Sequence, residues 1–125
     1  MALSADLLRG YTEAIILRRL SEGESYGYAV NQRVSELSGG RFELKEATLY
    51  TAFRRLETAG CIMSRWGDEA SGARRRYYVL TDAGRGRLEQ ECTAWRETRE
   101  LLSLLLEARE TEGTRPVAAV KEEGQ

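Results

Sequence analysis

Residues 42–60 contain a helical pattern with two chemically different faces. At about 100° of rotation per residue, the apolar side chains fall on one stripe. Small, hydroxyl, phenol and guanidinium side chains fall opposite, and Gly60 follows as a helix-stop signal. One face can build a core, while the mixture on the other suits the floor of a DNA major groove. The predicted core face is Leu49, Ala52, Phe53 and Leu56, and the opposite face is Ala47, Tyr50, Thr51, Arg54 and Thr58.

A second basic feature follows this segment. Three consecutive arginines at 74–76 lead into an alternating strand that ends at Leu80. Residues 62–66 read as its partner strand, and residues 67–73, rich in Gly, Asp, Ser and Ala, as the loop between them. A hairpin with an anchored base and a cationic tip is typical of a wing over the DNA backbone or minor groove. The alternative is an edge strand protected by its charges.

Two helices are predicted before this segment. Residues 6–22 form the first, with an apolar stripe that predicts a mostly buried helix. Ser25 is placed as the N-cap of the second, which ends at Gly39 and Gly40. Three helices with a short turn between the last two predict a helix-turn-helix. The stripe of the first helix consists of Leu7, Leu8, Tyr11, Ala14 and Ile15, widened by Ile16, Leu17 and Leu20.

A long final helix is predicted over residues 82–108, with Thr81 as its N-cap. At about 1.5 Å per residue it would be about 40 Å long, which exceeds what a domain of about 80 residues can cover. We expect a second copy of the chain to cover its apolar face. That face repeats with near-heptad spacing at Leu88, Cys92, Trp95, Arg99, Leu102 and Leu106, with Arg99 as one charged interruption, and is broadened by Leu101, Leu104 and Leu105.

These elements predict a mainly α fold with a small β-hairpin. We expect a winged helix-turn-helix domain over residues 1–81, a C-terminal dimerisation helix over 82–110 and a disordered tail over 111–125. A protein of this size holds one compact core and one appended element.

Charge is segregated along the chain, although the formal net charge is only -1. Residues 41–87 carry 10 basic and 6 acidic side chains, whereas residues 88–125 carry 5 and 9. The local excess matters for phosphate contact, because charges act within a Debye length of about 10 Å. The net +4 of the middle segment therefore favours a nucleic-acid partner.

Histidine is absent, and Cys61 and Cys92 are the only cysteines. These facts argue against metal sites, cofactor chemistry and most acid–base catalysis, so we do not expect an enzyme. No apolar run predicts a signal peptide or a membrane span, which favours the cytoplasm and no membrane partner. The cysteines are either small buried apolar residues or a redox switch.

The chain resembles the PadR-like transcriptional regulators over about residues 7–106. The resemblance lies in SYGYAVNQRV at 25–34, GGRFELKEATLYTAFRRLETAGCI at 39–62 and RRRYYVLTDAGRGRL at 74–88. It implies a homodimeric repressor on a pseudo-palindromic operator. Where the family often has proline after the TLY triplet, this chain has Thr51, whose hydroxyl can donate and accept a hydrogen bond.

The short C-terminal helix looks like the subfamily of multidrug-sensing regulators. There a tryptophan pairs with its symmetry mate and lines a hydrophobic cavity at the dimer interface, and Trp95 falls at the corresponding place. The resemblance thus implies a small apolar or aromatic effector. Trp95 is alternatively a large core residue. The residues assigned to this pocket are Trp95, Leu8, Tyr11, Ile15, Cys92 and Arg99, of which Leu8, Tyr11 and Ile15 alternatively pack in the interior.

The favoured function is a sequence-specific DNA-binding repressor released by such an effector. The alternatives are a winged-helix module that binds another protein and a repressor that has no small-molecule effector. The residues assigned to DNA contact are Lys45, Thr48, Tyr50, Thr51, Arg54, Arg55, Arg74, Arg75 and Arg76, of which Lys45 and Thr48 are implied by the resemblance alone. Those assigned to dimerisation are Leu88, Trp95, Leu102, Leu105 and Leu106.

Overall fold

The computed structural model describes residues 5–67 and 74–107, and side chains from residue 7 onward. Its helices are α1 (Ala5–Leu8), α2 (Thr12–Leu20), α3 (Gly27–Leu37), α4 (Glu46–Thr58) and α5 (Asp82–Leu106), with a 3-10 turn at Arg9–Tyr11. Its strands are β1 (Ser25–Tyr26), β2 (Ile62–Trp66) and β3 (Arg76–Leu80). The expected mainly α fold is confirmed. Most of the predicted loop, the end of the predicted final helix and the predicted tail lie outside the described residues.

The predicted first helix is interrupted. Between α1 and α2 the chain forms the 3-10 turn that contains Gly10, and Tyr11 leaves helical dihedrals with φ −109° and ψ 2°. Glycine is a poor helix former, which favours a break here. The expected apolar stripe is also shifted. Within α2 the side chains that are 2% exposed or less are Ile16, Leu17 and Leu20. Leu8, Tyr11 and Ile15 are half-buried.

Helices α3 and α4 both end in the same left-handed glycine turn. After α4, Gly60 has φ +79° and its N–H bonds Glu57 O at 3.0 Å, while Cys61 N bonds Leu56 O at 2.9 Å. This pair of bonds is the Schellman arrangement, which needs a residue that tolerates positive φ. Gly39, with φ +66°, takes the same place after α3. The predicted stop signals are therefore confirmed.

The sheet has three strands in the order β1–β3–β2, all antiparallel. Ile62 pairs with Leu80 and Trp66 with Arg76 in the expected hairpin, although β3 begins at Arg76 and not at residue 74. The additional strand corrects the prediction for Ser25. Ser25 pairs with Tyr78 in β1, so it does not cap the second helix, and Tyr26 holds the N-cap position without a side-chain cap bond.

One apolar core joins the helices to the sheet. Phe53 of α4 stacks on Tyr78 of β3 with ring centroids 3.9 Å apart, and Ile16, Leu17 and Leu56 are fully buried beside them. The core face predicted for α4 is confirmed, because all four of its members are buried. Thr81 caps α5 as expected, since its Oγ1 accepts a hydrogen bond of 3.0 Å from Gly84 N.

The chain divides into two compact units, residues 1–92 and residues 93–125. Helix α5 begins in the first unit and ends in the second. In the first unit Leu88 is 5% exposed within the core, and Cys92 packs against that core. The functional division at residues 81 and 82 remains a prediction.

Candidate nucleic-acid interface

The exposed face of α4 carries the side chains that the sequence placed there. Ala47, Tyr50, Thr51, Arg54 and Thr58 are all exposed, directly opposite the buried face. Packing of the apolar face against the core therefore leaves hydroxyl, phenol and guanidinium groups facing outward. Within residues 5–67 and 74–107, Arg54 has no carboxylate partner, so its charge is available to an external anion.

The N-terminus of α4 is a second cationic feature. Lys45 takes the N-cap position in an extended conformation, with no side-chain cap bond, and its carbonyl accepts from Leu49 N at 2.9 Å. The first-turn amides of a helix without a side-chain cap point outward with the positive end of the helix dipole. Lys45 and Thr48 are both exposed beside these amides. Glu46 in the first turn reduces the local positive charge.

Tyr50 lies between the exterior and the start of α3. Its ring meets Phe53 edge-on at 5.6 Å, and 39% of the residue is exposed. The phenol lies against Gly27, where an added methyl carbon would overlap the hydroxyl and come within 2.8 Å of Cζ. Only glycine at position 27 leaves room for the phenol in this orientation.

Three arginines at the start of β3 lie on aromatic rings. The guanidinium carbons of Arg74 and Arg76 are 5.2 Å and 5.3 Å from the centroid of Trp66, which is 51% exposed. Arg75 lies 4.5 Å from the ring of Tyr26. Cation–π contacts restrict these long side chains while leaving their N–H groups able to donate. The hairpin base thus presents ordered cations.

Hydrogen bonds and ion pairs fix the hairpin relative to α4. Glu57 near the end of α4 accepts from Ser64 Oγ at 2.6 Å and pairs with Arg76 at 3.7 Å. A separate ion pair joins β2 to the segment just before β1: Arg65 donates twice to Glu24, at 2.7 Å and 2.9 Å. The hydrogen bond from Arg65 lowers the pKa of the Glu24 carboxyl, so that this pair stays charged.

The turn between α3 and α4 depends on residues that the sequence did not single out. Asn31 donates to Leu44 O at 2.7 Å and accepts from Leu44 N at 2.8 Å. These two hydrogen bonds attach the segment just before α4 to α3. Ser38 Oγ donates to Phe42 O at 3.1 Å and accepts from Phe42 N at 3.0 Å. The position of Asn31 inside a predicted helix could have indicated this role, because an asparagine side chain readily forms hydrogen bonds with backbone groups.

Arg55 differs from Arg54 in its surroundings. It pairs with Glu13 of α2 at 3.2 Å, and Glu13 also accepts a hydrogen bond from Arg87 of α5. Burial opposes the charge on Arg87, but the hydrogen bonds and charges of Glu13 and Cys61 together outweigh it and raise the pKa of the guanidinium. Neither Glu13 nor Arg87 was predicted as a site residue, since their meeting depends on residues 74 positions apart.

Residues assigned to the effector and to dimerisation fall in both units. In the second unit Arg99 lies 6.0 Å from the ring of Trp95, which is 43% exposed. Leu102, Leu105 and Leu106 are 46%, 67% and 77% exposed. Leu88 differs, because its burial in the core of its own chain leaves little of its side chain for a partner.

Among the described residues no group of three or more histidine, cysteine, aspartate or glutamate side chains could hold a metal ion. The described helices also include none with the length and apolar content needed to cross a membrane.

A helix-turn-helix formed by α3 and α4, followed by the β2–β3 wing, defines the winged-helix class of DNA-binding folds. The sequence matches the transcriptional regulator PadR-like family over residues 16–90. It is 38% identical over 106 residues to an uncharacterized protein of Lysinibacillus sphaericus, covering 85% of this chain and 97% of that protein.

Solved structures show the same likeness. A transcriptional regulator from Clostridium thermocellum is 38% identical with a TM-score of 0.77, over 84% of this chain and 99% of that one. A PadR family transcription regulator from Clostridium difficile is 35% identical with a TM-score of 0.69, over 78% and 99%. The chain belongs to the PadR-like family of transcriptional regulators, as the sequence motifs implied.

Proposed function

We propose that the protein is a homodimeric repressor that binds a pseudo-palindromic operator through α4 and the β2–β3 wing. The observation that carries this proposal is the outward face of α4, where Thr51 and Arg54 are exposed above a fully packed apolar face. An arginine reads guanine in the major groove through two hydrogen bonds, and a threonine hydroxyl can serve several bases. Arg54 is therefore the main base-reading residue in this proposal.

The remaining cations position the protein on the backbone. Lys45 at the start of α4 and the ring-supported Arg74, Arg75 and Arg76 can each meet a phosphate. Thr48 and the Tyr50 hydroxyl supply further exposed donors at the two opposite edges of the outward face of α4. Arg76 contributes less in this scheme, because Glu57 already pairs with it.

The direct test uses single arginine substitutions and fluorescence anisotropy with labelled duplex DNA. We expect Arg54→Ala to weaken binding to the preferred sequence by about 1–3 kcal/mol and to relax its specificity. Arg75→Ala should weaken binding to all duplexes and lower the salt slope by about one. Arg96→Ala, which removes one exposed arginine of α5, is the matched control.

Unchanged DNA affinity in both Arg54→Ala and Arg75→Ala would contradict the proposed interface. Absence of binding to heparin and to random duplex DNA by the wild-type protein would favour the protein-interaction alternative. Unfolding curves of each variant show whether a loss of binding reflects a loss of fold.

The second half of α5 supports the dimer. Leu101, Leu102, Leu104, Leu105 and Leu106 are between 46% and 77% exposed in the described chain. Such a group of exposed leucines is typical of an interface. In this proposal the paired helices hold two copies of α4 at the spacing of adjacent half-sites, about 34 Å. Sedimentation at micromolar concentration should give a dimer, and Leu105→Glu should give a monomer that binds DNA weakly. A wild-type monomer would refute this part.

We further propose that Trp95 pairs with its copy in the partner chain and receives a planar apolar or aromatic effector. Its partly exposed ring and its contact with Arg99 support this role. Aromatic compounds should quench Trp95 fluorescence saturably in a Trp66→Phe background and weaken DNA binding. A flat response across a broad library would instead leave a repressor without an effector.

A further inference from the structure

A half-open groove of about 580 Å³ lies beside the proposed DNA-reading face, within the first unit. We call it the α4 groove. It lies between the start of α2, the side of α4 that runs from Ala47 to Arg55, and the second and third turns of α5. Described residues that line it include Thr12, Glu13, Thr48, Thr51, Arg55 and Arg87. Thr51 therefore belongs both to this groove and to the outward face of α4.

The lining of the groove carries a positive balance. Its described residues include three arginines, Arg9, Arg55 and Arg87, against two glutamates, Glu13 and Glu91. Small-molecule pockets are mostly apolar and enclose their ligand, whereas this groove is half-open, and three hydroxyls and five charged side chains lie in its lining beside Gly10, Ala47 and Ala52. A phosphate of the DNA backbone, approached from outside by hydroxyl and guanidinium donors, fits these properties better.

The two arginines that meet Glu13 are held differently. Arg87 hydrogen-bonds Glu13 where the two side chains are 34% and 20% exposed, and it also pairs with Glu91 at 3.5 Å. Arg55 pairs with the other carboxylate oxygen of Glu13 at 3.2 Å, but its side chain is 73% exposed. Exposed ion pairs contribute little stability. Arg55 can therefore change partner readily, while Arg87 remains on Glu13.

We propose that the α4 groove binds a DNA backbone phosphate, and that Arg55 transfers from Glu13 to this phosphate when DNA binds. Arg87 is a positioning residue in this exchange. It keeps Glu13 neutralised after Arg55 leaves, because an uncompensated carboxylate beside the groove would repel the phosphate. The inference rests on the proposed DNA-binding surface and extends it to α2 and α5.

The test compares Glu13→Gln, Arg87→Gln, the double variant and Arg55→Gln in duplex-DNA binding across salt concentrations. Glu13→Gln should tighten binding about twofold to fivefold, the range of one surface ion pair, because it releases Arg55 and removes the repulsion. Arg87→Gln should weaken binding by a similar factor. The loss caused by Arg87→Gln should be smaller in the Glu13→Gln background than in the wild-type background, since neutralising Glu13 is the role of Arg87 in the exchange, while its own charge and its pair with Glu91 are lost equally in both backgrounds.

Two further readouts separate this role from a structural one. Arg55→Gln should lower the salt slope by about 0.9, the value of one lost phosphate contact. Phosphate-ethylation interference should lose one protected phosphate per half-site in Arg55→Gln and keep it in Glu13→Gln. A purely structural ion-pair network would instead make Glu13→Gln weaken binding together with its thermal stability.

Tighter or equal binding by Arg87→Gln, or weaker or unchanged binding by Glu13→Gln, would overturn the inference, as would an interference pattern unaffected by Arg55→Gln. Titration with inorganic phosphate is a separate arm. If phosphate stabilises the wild-type protein without competing with DNA, the groove is a small-anion site and the inference is wrong. Failure of the wild-type protein to bind any DNA would overturn the proposed function itself.

Discussion

At Gly84 the start of α5 lies directly against the backbone of Cys61. A methyl carbon added there would overlap the carbonyl oxygen of Cys61, and would lie 2.7 Å from Leu80 Cδ1 and 3.0 Å from the Cys61 carbonyl carbon. That oxygen also accepts from Thr81 N at 3.0 Å, so it cannot move without breaking the start of α5. Gly86, two residues further on, is exposed and has nothing within 4 Å of its added methyl.

These surroundings predict opposite effects for the same substitution. Alanine inside a helix is favoured over glycine by about 0.5–1 kcal/mol, which Gly86→Ala should gain in full. At Gly84 the gain is opposed by overpacking, which costs about 1–3 kcal/mol in cores. Because backbone atoms cause the overlap, we take the upper end and expect Gly84→Ala to lose about 2 kcal/mol net. The two variants should therefore differ by about 3 kcal/mol.

Urea unfolding followed by circular dichroism measures this difference. If the dependence of the unfolding free energy on urea concentration is unchanged, the urea concentration at the midpoint of unfolding should fall for Gly84→Ala and rise for Gly86→Ala. In thermal unfolding the gap should be about 12 °C or more, at about 4–8 °C per kcal/mol for a unit of this size. Equal stability of the two variants, or stabilisation by both, would show that α5 does not lie this close to Cys61 and would refute the reasoning.

Three further predictions concern the core, the turn before α4 and the α4 surface. Burial raises the pKa of the Tyr78 phenol, because it disfavours the charged phenolate in the folded protein. The contribution of the neutral phenol to stability is therefore complete below the ordinary tyrosine pKa near 10 and is lost as the pH rises above it. Between about pH 9 and 11 the Tm of the wild-type protein should fall more than the Tm of Tyr78→Phe. Asn31→Ala should lower the free energy of unfolding in urea by about 1–3 kcal/mol, because it removes the side-chain partners of the Leu44 N–H and carbonyl groups. A loss below about 0.5 kcal/mol would contradict this role of Asn31. Gly27→Ala should displace the Tyr50 phenol and weaken DNA binding to the level of Tyr50→Ala with the fold retained; unchanged affinity would exclude this phenol from the interface.

Much of the local structure was predictable, because it depends on neighbours along the chain. The two faces of α4 follow from a helical period within 13 residues, and Gly39 and Gly60 end their helices because glycine tolerates positive φ. The hairpin strands were predicted within two residues of their bounds for the same reason. The outward residues of α4, including Arg54, were thus assigned before the structure.

Contacts between distant segments were not predictable in this way. Strand β1 has only two residues, too few to show a period, and Ser25 therefore looked like a helix cap. The sequence also gave no sign that Trp66 would lie under two arginines of the hairpin. Leu88 fits a heptad seam by spacing, but the position of α5 against the core places it inside its own chain.

The amino-acid sequence by itself determined the class of this protein: the helices, the glycine stops, the cationic hairpin and the family motifs. Only the tertiary structure decided which charges are available, because that depends on what folding brings together. Arg54 and Arg55 are adjacent in sequence, yet Arg55 meets Glu13 of α2 while Arg54 has no carboxylate partner in the described part of the chain. Periodicity assigns a residue to a face, but its electrostatic partners come from distant residues whose positions no local pattern encodes.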